Sequence, residues 1–354
     1  MKIYTITCSN AYNYGAVLQA YALQKYLERR GHDAKIIDYH PPYLRKISQK
    51  YRKNIFAILT RKILYAPDYH KSRIAFGGFH KEYLKKTRKT YYSLEELRAL
   101  PKADLYIAGS DQIWNPYMEN GLDRNYYLEF ARGKKVSYAA SIGCDMVEEK
   151  YDALYKTRLN DFSKVTVREK NTSDYLNSIG IASEYVVDPV FLLERKEWEK
   201  LCCFSADEKY ILVYALHHIQ EIYDYARSLA AELGVKTYVV SVEIKEKRRG
   251  NDIFFWNPSV NEYLGLMSKA EAVVTNSFHG AAFGLIFNKP VHIFDTEKND
   301  SRLKSLINLL HLEDRVVSSG SGGVISNVAS SKSGEIIKYE TNRSKDILDG
   351  MLGG

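Results

Sequence analysis

Residues 2–39 read KIYTITCSNAYNYGAVLQAYALQKYLERRGHDAKIIDY, and this stretch decides the fold class. It begins with a short apolar run that is typical of a buried strand. A helical apolar face follows, and Gly31 suits the position just beyond the end of that helix. AKIIDY (34–39) predicts a second strand, which ends before Pro41 and Pro42. A strand–helix–strand unit this short predicts a parallel sheet.

The same alternation of strands and helices continues along the 354 residues. Further strands are predicted at 104–110, 135–140, 184–191, 210–216, 271–277 and 289–294. We expect an α/β protein with two Rossmann-like, doubly wound domains in tandem, over residues 1–195 and 196–315. Residues 316–354 are predicted to form a flexible Ser/Gly-rich connection to a C-terminal helix near 341–352, which is expected to dock elsewhere on the fold.

A basic segment at residues 44–90 interrupts the first domain, and we predict that it is helical. It holds fourteen Lys and Arg against Asp68 and Glu82, so its excess positive charge is larger than the net +8 of the whole chain. Three interpretations stay open: a solvated helical face, contact with an anionic membrane surface, or contact with an anionic substrate. No nucleic-acid-binding signature accompanies the charge, so we expect no nucleic-acid partner.

Composition and motif searches exclude several classes of protein. No signal peptide or apolar run of membrane-spanning length is found, so we expect a cytoplasmic protein, with peripheral contact at the inner membrane face if the basic segment binds lipid. The four cysteines form no C-x-x-C pair, and the nine His show no metal-binding spacing; we therefore expect reduced cysteines and no metal. The absence of G-x-G-x-x-G disfavours NAD and FAD.

Small, polar and ionisable residues follow the predicted strands again and again. Because ligands of parallel sheets bind beyond the carboxyl ends of the strands, these residues predict a site in the cleft between the domains. The candidates are Asn13, Tyr14, Gly15, Ser110, Asp111, Gln112, Ser141, Arg168, Glu169, Asn276, Ser277, His279 and Gly280.

Two of these residues are the candidate catalytic groups. His279 begins a helix, where it is suited to be a general acid, a general base or an anion ligand; the alternative is a His that caps its own helix or packs on Phe278. Arg168 is a candidate clamp for phosphate or carboxylate, and the alternative is an interdomain salt bridge with Glu169 or Asp188.

The turn before the first helix, with Gly15, is a second candidate anion site. Asp111 is either a catalytic acid or a helix N-cap.

Six stretches, in this order, resemble the polysaccharide pyruvyl transferase family. They are NYGAVLQAYALQKYLERRGHDAKIIDY (13–39), DLYIAGSDQIWNP (104–116), KKVSYAASIG (134–143), VREK (167–170), VVDPVFLL (186–193) and EAVVTNSFHGAAFGLIFNKP (271–290). Together they span most of residues 3–310. The resemblance implies two Rossmann-like domains that face each other across a cleft, as in GT-B glycosyltransferases.

The resemblance also implies a reaction. A pyruvyl group passes from phosphoenolpyruvate to two hydroxyls of a sugar, which forms a cyclic ketal and releases phosphate. The expected acceptor is a glycan or lipid-linked sugar, the donor is phosphoenolpyruvate, and no cofactor is expected. Family members often carry an Arg-Leu-His run whose His corresponds to His279. The Arg and Leu positions are Ser277 and Phe278 here, so another basic residue, such as Arg168, is needed, or the donor differs.

Two other functions remain open on the sequence alone. One is a nucleotide-sugar glycosyltransferase on the same architecture, although no acidic residue for a ribose is evident near 276–280. The other is a non-catalytic member of a glycan-assembly complex, which the missing arginine at position 277 keeps under consideration.

Overall fold

The structure is a computed structural model. It describes residues 1–45, 55–206, 208–248, 252–294, 301–317 and 331–353. The predicted helix over residues 46–54 of the basic segment, and most of the Ser/Gly-rich connection, lie outside these described residues.

The first sheet has four parallel strands in the order β2-β1-β3-β4. The strands are β1 (Lys2–Ile6), β2 (Asp33–Ile36), β3 (Leu105–Ala108) and β4 (Lys134–Ser137). A small parallel pair, β5 (Val165–Val167) and β6 (Ser183–Tyr185), continues this sheet through single bridges to the strand β4 region. The strand predicted over 184–191 is therefore corrected: β6 is short, and Pro189–Leu192 form a 3-10 turn, because proline cannot donate to a strand ladder.

The second sheet has six parallel strands in the order β12-β11-β10-β7-β8-β9. Its strands are β7 (Tyr210–Tyr214), β8 (Lys236–Ser241), β9 (Ile253–Trp256), β10 (Ala272–Thr275), β11 (Val291–Phe294) and β12 (Val316–Val317). Strand β12 pairs with β11, so this sheet extends beyond the predicted limit at residue 315. We call the part built on the first sheet the N-terminal domain and the part built on the second the C-terminal domain; the boundary at 195–196 stays a prediction.

Helices connect the strands and cover the sheets. In the N-terminal half they are α1 (Tyr14–Arg29), α2 (Pro42–Arg45), α3 (Ile55–Tyr83), α4 (Leu94–Leu97), α5 (Glu119–Leu122), α6 (Asp152–Leu159) and α7 (Lys170–Ser178). Those that follow are α8 (Arg195–Glu199), α9 (Gln220–Leu233), α10 (Val260–Lys269), α11 (Phe278–Ile286), α12 (Ser301–Leu310) and α13 (Ser331–Gly353).

An apolar core joins the two domains on one side of the cleft. Tyr14, on the first turn of α1, stacks on Tyr263 of α10 with ring centroids 4.1 Å apart, and its hydroxyl donates to the carbonyl of Pro258 at 2.7 Å. Phe76 of α3 packs on the other side of Tyr14, at 4.9 Å. Burial of these large aromatic rings is strongly favourable and holds the domains together near the start of α1.

The basic segment is not helical throughout. After α3 ends at Tyr83, the chain runs beside β2, with Lys86 bridged to Ile36 and Tyr91 bridged to Tyr39. Helix α3 itself reaches the C-terminal domain, where the Asp68 carboxylate accepts hydrogen bonds from Trp256 Nε1 at 2.8 Å and from the Ile244 amide at 2.9 Å.

The C-terminal helix returns to the N-terminal domain. It is longer than predicted, since α13 begins at Ser331 rather than near 341. Leu348 and Met351 are buried in a core with strand β1 and helix α1, and the Ser344 hydroxyl accepts a hydrogen bond from the Val187 amide at 3.0 Å. Within the ranges described above, none of the helices has the length and apolar character needed to cross a bilayer.

Candidate active site in the interdomain cleft

A cavity of about 270 Å³ lies between the domains, beyond the carboxyl ends of β1, β3 and β10. Residues of both domains line it, as expected for parallel sheets that face each other. The polar and ionisable side chains in its wall are Thr7, Cys8, Asn10, Asn13, Tyr39, Asp111, Gln112, Asn120, Tyr126, Ser277, His279 and Arg302.

His279 reaches the cavity from the first turn of α11. Ser277 caps this helix, because its hydroxyl oxygen accepts a hydrogen bond from the Gly280 amide at 3.3 Å. Asn276 fixes the neighbouring loop by accepting from the Leu216 amide at 2.8 Å. The positive end of the α11 dipole is therefore directed at the cavity, where it favours a bound anion.

The imidazole of His279 lies between the two domains. On one side it faces Gly15 of α1, and a Cβ on residue 15 would lie 2.0 Å from His279 Nδ1. On the other side its Nε2 is 3.5 Å from Oδ2 of Asp188, which belongs to the N-terminal domain. The ring is 94% buried by these contacts, so its orientation is set by residues far apart in the sequence.

Asp188 is the centre of a buried polar network behind the cavity. Its Oδ2 accepts hydrogen bonds from Arg168 Nη1 at 2.7 Å and from the Ser110 hydroxyl at 3.1 Å. Burial alone would raise the pKa of Asp188, but His279 and Arg168 hold that pKa well below its ordinary value. Asp188 is therefore a carboxylate at neutral pH, and it can form an ion pair with His279 when that ring is protonated.

Arg168 is placed differently from the anion clamp expected from the sequence. Its Nε donates to Glu169 Oε1 at 3.0 Å, and its guanidinium lies over the Phe278 ring, 4.7 Å from the centroid. Burial would lower the pKa of Arg168, but the charges of Glu169 and Asp188 raise it above its ordinary value. The guanidinium is not part of the cavity wall. Two carboxylates of the same domain pair with Arg168, and they are the salt-bridge partners that the alternative interpretation of the sequence named, while Nη2 of Arg168 is buried without a hydrogen-bond partner.

Arg302 brings a guanidinium into the wall of the cavity. It is the second residue of α12, and its Nη1 lies 3.6 Å from Oδ1 of Asp111 across the cavity. Burial and the charge of Arg168 lower the pKa of Arg302 to about 10, so the side chain remains cationic at neutral pH. A partly desolvated guanidinium of this kind binds carboxylate or phosphate strongly. Arg302 thus places a guanidinium in the cavity wall, whereas position 277 is occupied by Ser277.

Asp111 and Gln112 line the side of the cavity that the N-terminal domain provides. Asp111 has φ +80°, an uncommon conformation for a residue other than glycine, and its Oδ1 accepts from the Gln112 amide at 2.8 Å. Gln112 donates to the carbonyl of Gly143 at 3.3 Å, and a Cβ on Gly143 would collide with Gln112. No helix begins directly after Asp111, since the next one starts at Glu119, so Asp111 is not the N-cap that one interpretation of the sequence suggested.

The predicted residues thus divide into two groups. Asn13, Asp111, Gln112, Ser277 and His279 line the cavity. The others contact or support that wall without lining it: Tyr14, Gly15, Ser110, Ser141, Arg168, Glu169, Asn276 and Gly280. Ser141, for example, donates to Glu169 Oε1 at 2.7 Å and so positions the partner of Arg168.

Sequence reasoning missed Arg302 and the central place of Asp188. Arg302 lies in the pattern SRLKSLINLL, where a basic residue in the first turn of an amphipathic helix carries no signal of its own. Asp188 comes directly after the apolar residues Val186 and Val187 of a predicted strand, and the sequence analysis considered it only as a salt-bridge partner of Arg168. Cys8 also lines the cavity, and burial raises the pKa of its thiol far above the ordinary value, so it is protonated at neutral pH.

A separate cluster in the C-terminal domain could hold a cation. His218, Glu243 and Glu246 offer ligand atoms that lie within 4.8 Å of one another. His218 Nδ1 is 2.5 Å from the Tyr223 hydroxyl and 3.5 Å from Glu246 Oε2. Imidazole and carboxylate together suit a divalent transition metal. The expectation of a protein without metal therefore stays a prediction.

Comparison of the chain with known families gives one match, which extends over parts of both domains. The model of the family described as polysaccharide pyruvyl transferase matches residues 13–299. No curated protein sequence matches the chain.

Solved structures of similar fold include three sugar-nucleotide proteins. UDP-GlcNAc 2-epimerase from Methanocaldococcus jannaschii has a TM-score of 0.56 at 12% identity, with 100% of each chain covered. The S. aureus MnaA–UDP structure has a TM-score of 0.51 at 14% identity, covering 98% of this chain and 88% of that one. Anabaena Alr3699/HepE with UDP and glucose has a TM-score of 0.51 at 10% identity, covering 99% and 100%. At such identities the similarity concerns the fold alone, and it confirms the GT-B-like arrangement of two Rossmann-like domains.

Proposed function

We propose, from the premise that this chain belongs to the polysaccharide pyruvyl transferase family, that it transfers a pyruvyl group from phosphoenolpyruvate to a sugar. The acceptor is a surface polysaccharide or one of its precursors, and the product is a cyclic ketal. The observation that carries the proposal is the meeting of His279, Arg302 and Asp111 in one cavity between the domains. These are an imidazole, a guanidinium and a carboxylate, which are the three groups that the reaction needs.

The donor carries a phosphate and a carboxylate, so it needs cationic partners. Arg302 provides one, and the amino-terminal end of α11, capped by Ser277, provides a second. The amino-terminal end of α1, capped by Asn13, opens on the same cavity. A cavity of about 270 Å³ is of a size for a small donor, while the sugar would approach from the open side of the cleft.

His279 is the group that we assign to proton transfer. Its Nε2 lies 3.5 Å from Asp188, its Nδ1 edge packs against Gly15, and the residue lines the cavity. The proton passes from the imidazolium to C3 of the donor, C2 becomes electrophilic, and a sugar hydroxyl adds there and loses its proton. A second hydroxyl then forms a bond to C2 as the C2–O bond to phosphate breaks; the leaving phosphate takes that bonding pair, and the proton of the second hydroxyl passes to the phosphate. Asp111 is the carboxylate placed to accept a hydroxyl proton.

The direct test is an assay with phosphoenolpyruvate and a panel of sugar acceptors. We expect phosphate release that depends on the acceptor, together with an acceptor product whose mass has increased by one pyruvyl ketal. His279→Asn, which keeps a polar atom near the Nδ1 position, should lower the rate about 10²- to 10⁴-fold. The exposed His311 gives a matched control, since His311→Asn should leave the rate unchanged. Equal rates in both variants would contradict the role of His279.

A glycosyltransferase-like function is the second candidate. Two structures of similar fold were solved with UDP, in one case together with glucose. If UDP-sugars raise the melting temperature and phosphoenolpyruvate does not, this candidate replaces the first. A non-catalytic role would instead be favoured if His279→Ala left glycan pyruvylation in cells unchanged.

Contact with an anionic membrane surface is a further part of the proposal. On α3 the cations Arg73 and Lys81 are exposed, and the apolar side chains of Tyr69 and Ile74 are 62% and 64% exposed. Exposed cations beside exposed apolar groups suit the surface of anionic lipid. We expect binding to phosphatidylglycerol vesicles that weakens as salt rises, and loss of that binding in the variant with Arg73→Glu and Lys81→Glu. Binding that salt does not weaken would contradict this proposal.

A further inference from the structure

A second crevice lies beside the amino-terminal end of α13, and it shares no lining residue with the cavity of His279. Its volume is about 730 Å³, within the range of small-molecule sites. Three separate parts of the fold form its walls. Lys289 and Arg315 come from the C-terminal domain, Arg195 from the connection between the domains, and Ser333 from the first turn of α13.

The charges in this crevice are unbalanced. Arg195, Lys289 and Arg315 face it, and Glu194 is the one carboxylate among its described lining residues. Arg195 is paired with Glu199 at 2.7 Å, whereas no acidic partner of Lys289 or Arg315 is found within 4 Å among the described residues. The segment 318–330, which lies outside those residues, contains neither Asp nor Glu. The chain therefore has no acidic residue in that segment that could neutralise the crevice.

Arg315 is the group that points to a ligand. Its side chain is buried, with an exposed fraction of 4% for the residue, and its Nη2 donates to the Ser333 hydroxyl at 3.4 Å. Its Nε is buried without a hydrogen-bond partner. A buried donor without a partner is costly, and a bound ion or polar ligand group would satisfy it.

The surroundings of Lys289 and Arg315 also favour a bound anion. Burial lowers the pKa of Arg315, and burial together with the charge of Arg195 lowers the pKa of Lys289. Glu271 and Asp314 offset part of this effect on Lys289 and Arg315 respectively, but neither carboxylate forms an ion pair with its cation, so burial outweighs them. The first turn of α13, a helix of 23 residues, adds the positive end of its dipole to the same crevice.

We infer that this crevice is a second anion site, which binds a phosphate group held by Arg315, Lys289 and the amino-terminal turn of α13. A guanidinium, an ammonium and helix amides are the donors that phosphate sites commonly combine. The bound phosphate would tie the C-terminal domain to the helix that returns to the N-terminal domain. The site is separate from the cavity of His279 and does not depend on the proposed reaction.

The test uses inorganic phosphate as the probe and the full chain at constant ionic strength. Phosphate is also expected in the cavity of His279, so binding is measured by calorimetry in the Arg302→Met background, where that cavity has lost its guanidinium. We expect phosphate binding to persist there, and to weaken by about tenfold or more when Lys289→Met is added. Lys102→Met, at an exposed position of the N-terminal domain, is the control and should change nothing.

Arg315→Gln provides an independent variant of the same site, with the same expected loss. If this buried substitution prevents folding, Lys289→Met decides the question, because that side chain is only half-buried. Absence of phosphate binding in the Arg302→Met protein would overturn the inference. An affinity that stays within twofold after Lys289→Met would overturn it as well. Repeating the titration with glycerol phosphate shows whether the crevice prefers free phosphate or a phosphate ester. Tighter binding of the ester would indicate a phosphorylated metabolite as the ligand.

Discussion

Gly15 and His279, which are 264 positions apart in the sequence, meet so closely that a Cβ on residue 15 would lie 2.0 Å from Nδ1 of the imidazole. Gly15 belongs to the first turn of α1 in one domain, and His279 to the first turn of α11 in the other. The absence of a side chain at position 15 is thus what allows the imidazole to lie between α1 and Asp188.

The first prediction concerns this contact. Gly15→Ala should displace the His279 ring, because a carbon atom cannot lie 2.0 Å from a ring nitrogen. A misplacement of about 1 Å commonly costs on the order of 10² in rate, so we expect a loss of that size in acceptor-dependent phosphate release. Gly78→Ala on α3 is the control, since its Cβ would meet no atom within 4 Å. Wild-type kinetics in Gly15→Ala would show that the ring position does not matter for the reaction.

The second prediction concerns Arg302. Arg302→Met keeps an unbranched, flexible side chain but removes the guanidinium beside Asp111, so the anionic donor should bind less well. We expect KM for phosphoenolpyruvate to rise about tenfold to a hundredfold, the usual value of a charged hydrogen bond. Arg98→Met, at an exposed position, should leave KM unchanged. If Arg168→Met raised KM while Arg302→Met did not, the assignment of the two arginines would have to be exchanged.

The third prediction concerns the buried network behind the cavity. Asp188→Asn removes the charge that Arg168 and His279 share, and we expect the free energy of unfolding to fall by about 2 kcal/mol. Activity should fall too, since the imidazole loses the carboxylate 3.5 Å from its Nε2. Urea unfolding and the phosphate-release assay measure the two effects. The exposed Asp346 provides the control substitution, Asp346→Asn, for which neither quantity should change.

The fourth prediction is a pH dependence of stability. Burial, and to a lesser degree Arg315, lowers the pKa of His292 to about 4 from the ordinary 6.5. Below pH 6.5 the unfolded chain therefore binds a proton that the folded protein does not, so stability should fall as the pH falls from about 6.5 to about 4. For His292 the loss over that window is at most about 3 kcal/mol.

Urea unfolding at several pH values between 7 and 4 measures this dependence. His292→Asn, which retains a polar atom for the Tyr225 hydroxyl that lies 2.8 Å from Nδ1, should reduce the slope. A residual slope is expected, because burial also lowers the pKa of His80 to about 4. His311→Asn should leave the slope unchanged, since His311 is exposed. An unaltered slope in His292→Asn would mean that this His is not the proton-linked group.

Much of the fold follows from local patterns that the sequence displays directly. The buried runs at β1, β3, β7 and β10 are short, apolar and flanked by polar turns, so their positions follow from periodicity. The end of α13 was expected, but its start was not, because a polar and glycine-containing first turn resembles a loop. The extended chain after α3 was also missed, since the Lys and Arg there are compatible with a helix as well as with a strand.

The candidate site shows the same division. His279, Ser277 and Asp111 follow strands and could be proposed from the rule that ligands bind at carboxyl strand ends. Arg168 satisfies that rule too, yet it faces Asp188 and Glu169 instead of the cavity. The position of a residue after a strand fixes where its backbone lies. The direction of a long side chain depends in addition on the charges around it.

The sequence by itself determined the α/β class, the parallel sheets, the family and the loops at which a site should be sought. Those features depend on periodicity and on residue order, which are local properties of the chain. Only the tertiary structure decided that Arg302 from α12 lines the cavity of His279, that Asp188 lies beside His279, and that Arg195, Lys289 and Arg315 share a crevice. Each of these contacts joins segments that are distant in sequence, and they are set by how the two sheets and the returning helix pack against one another.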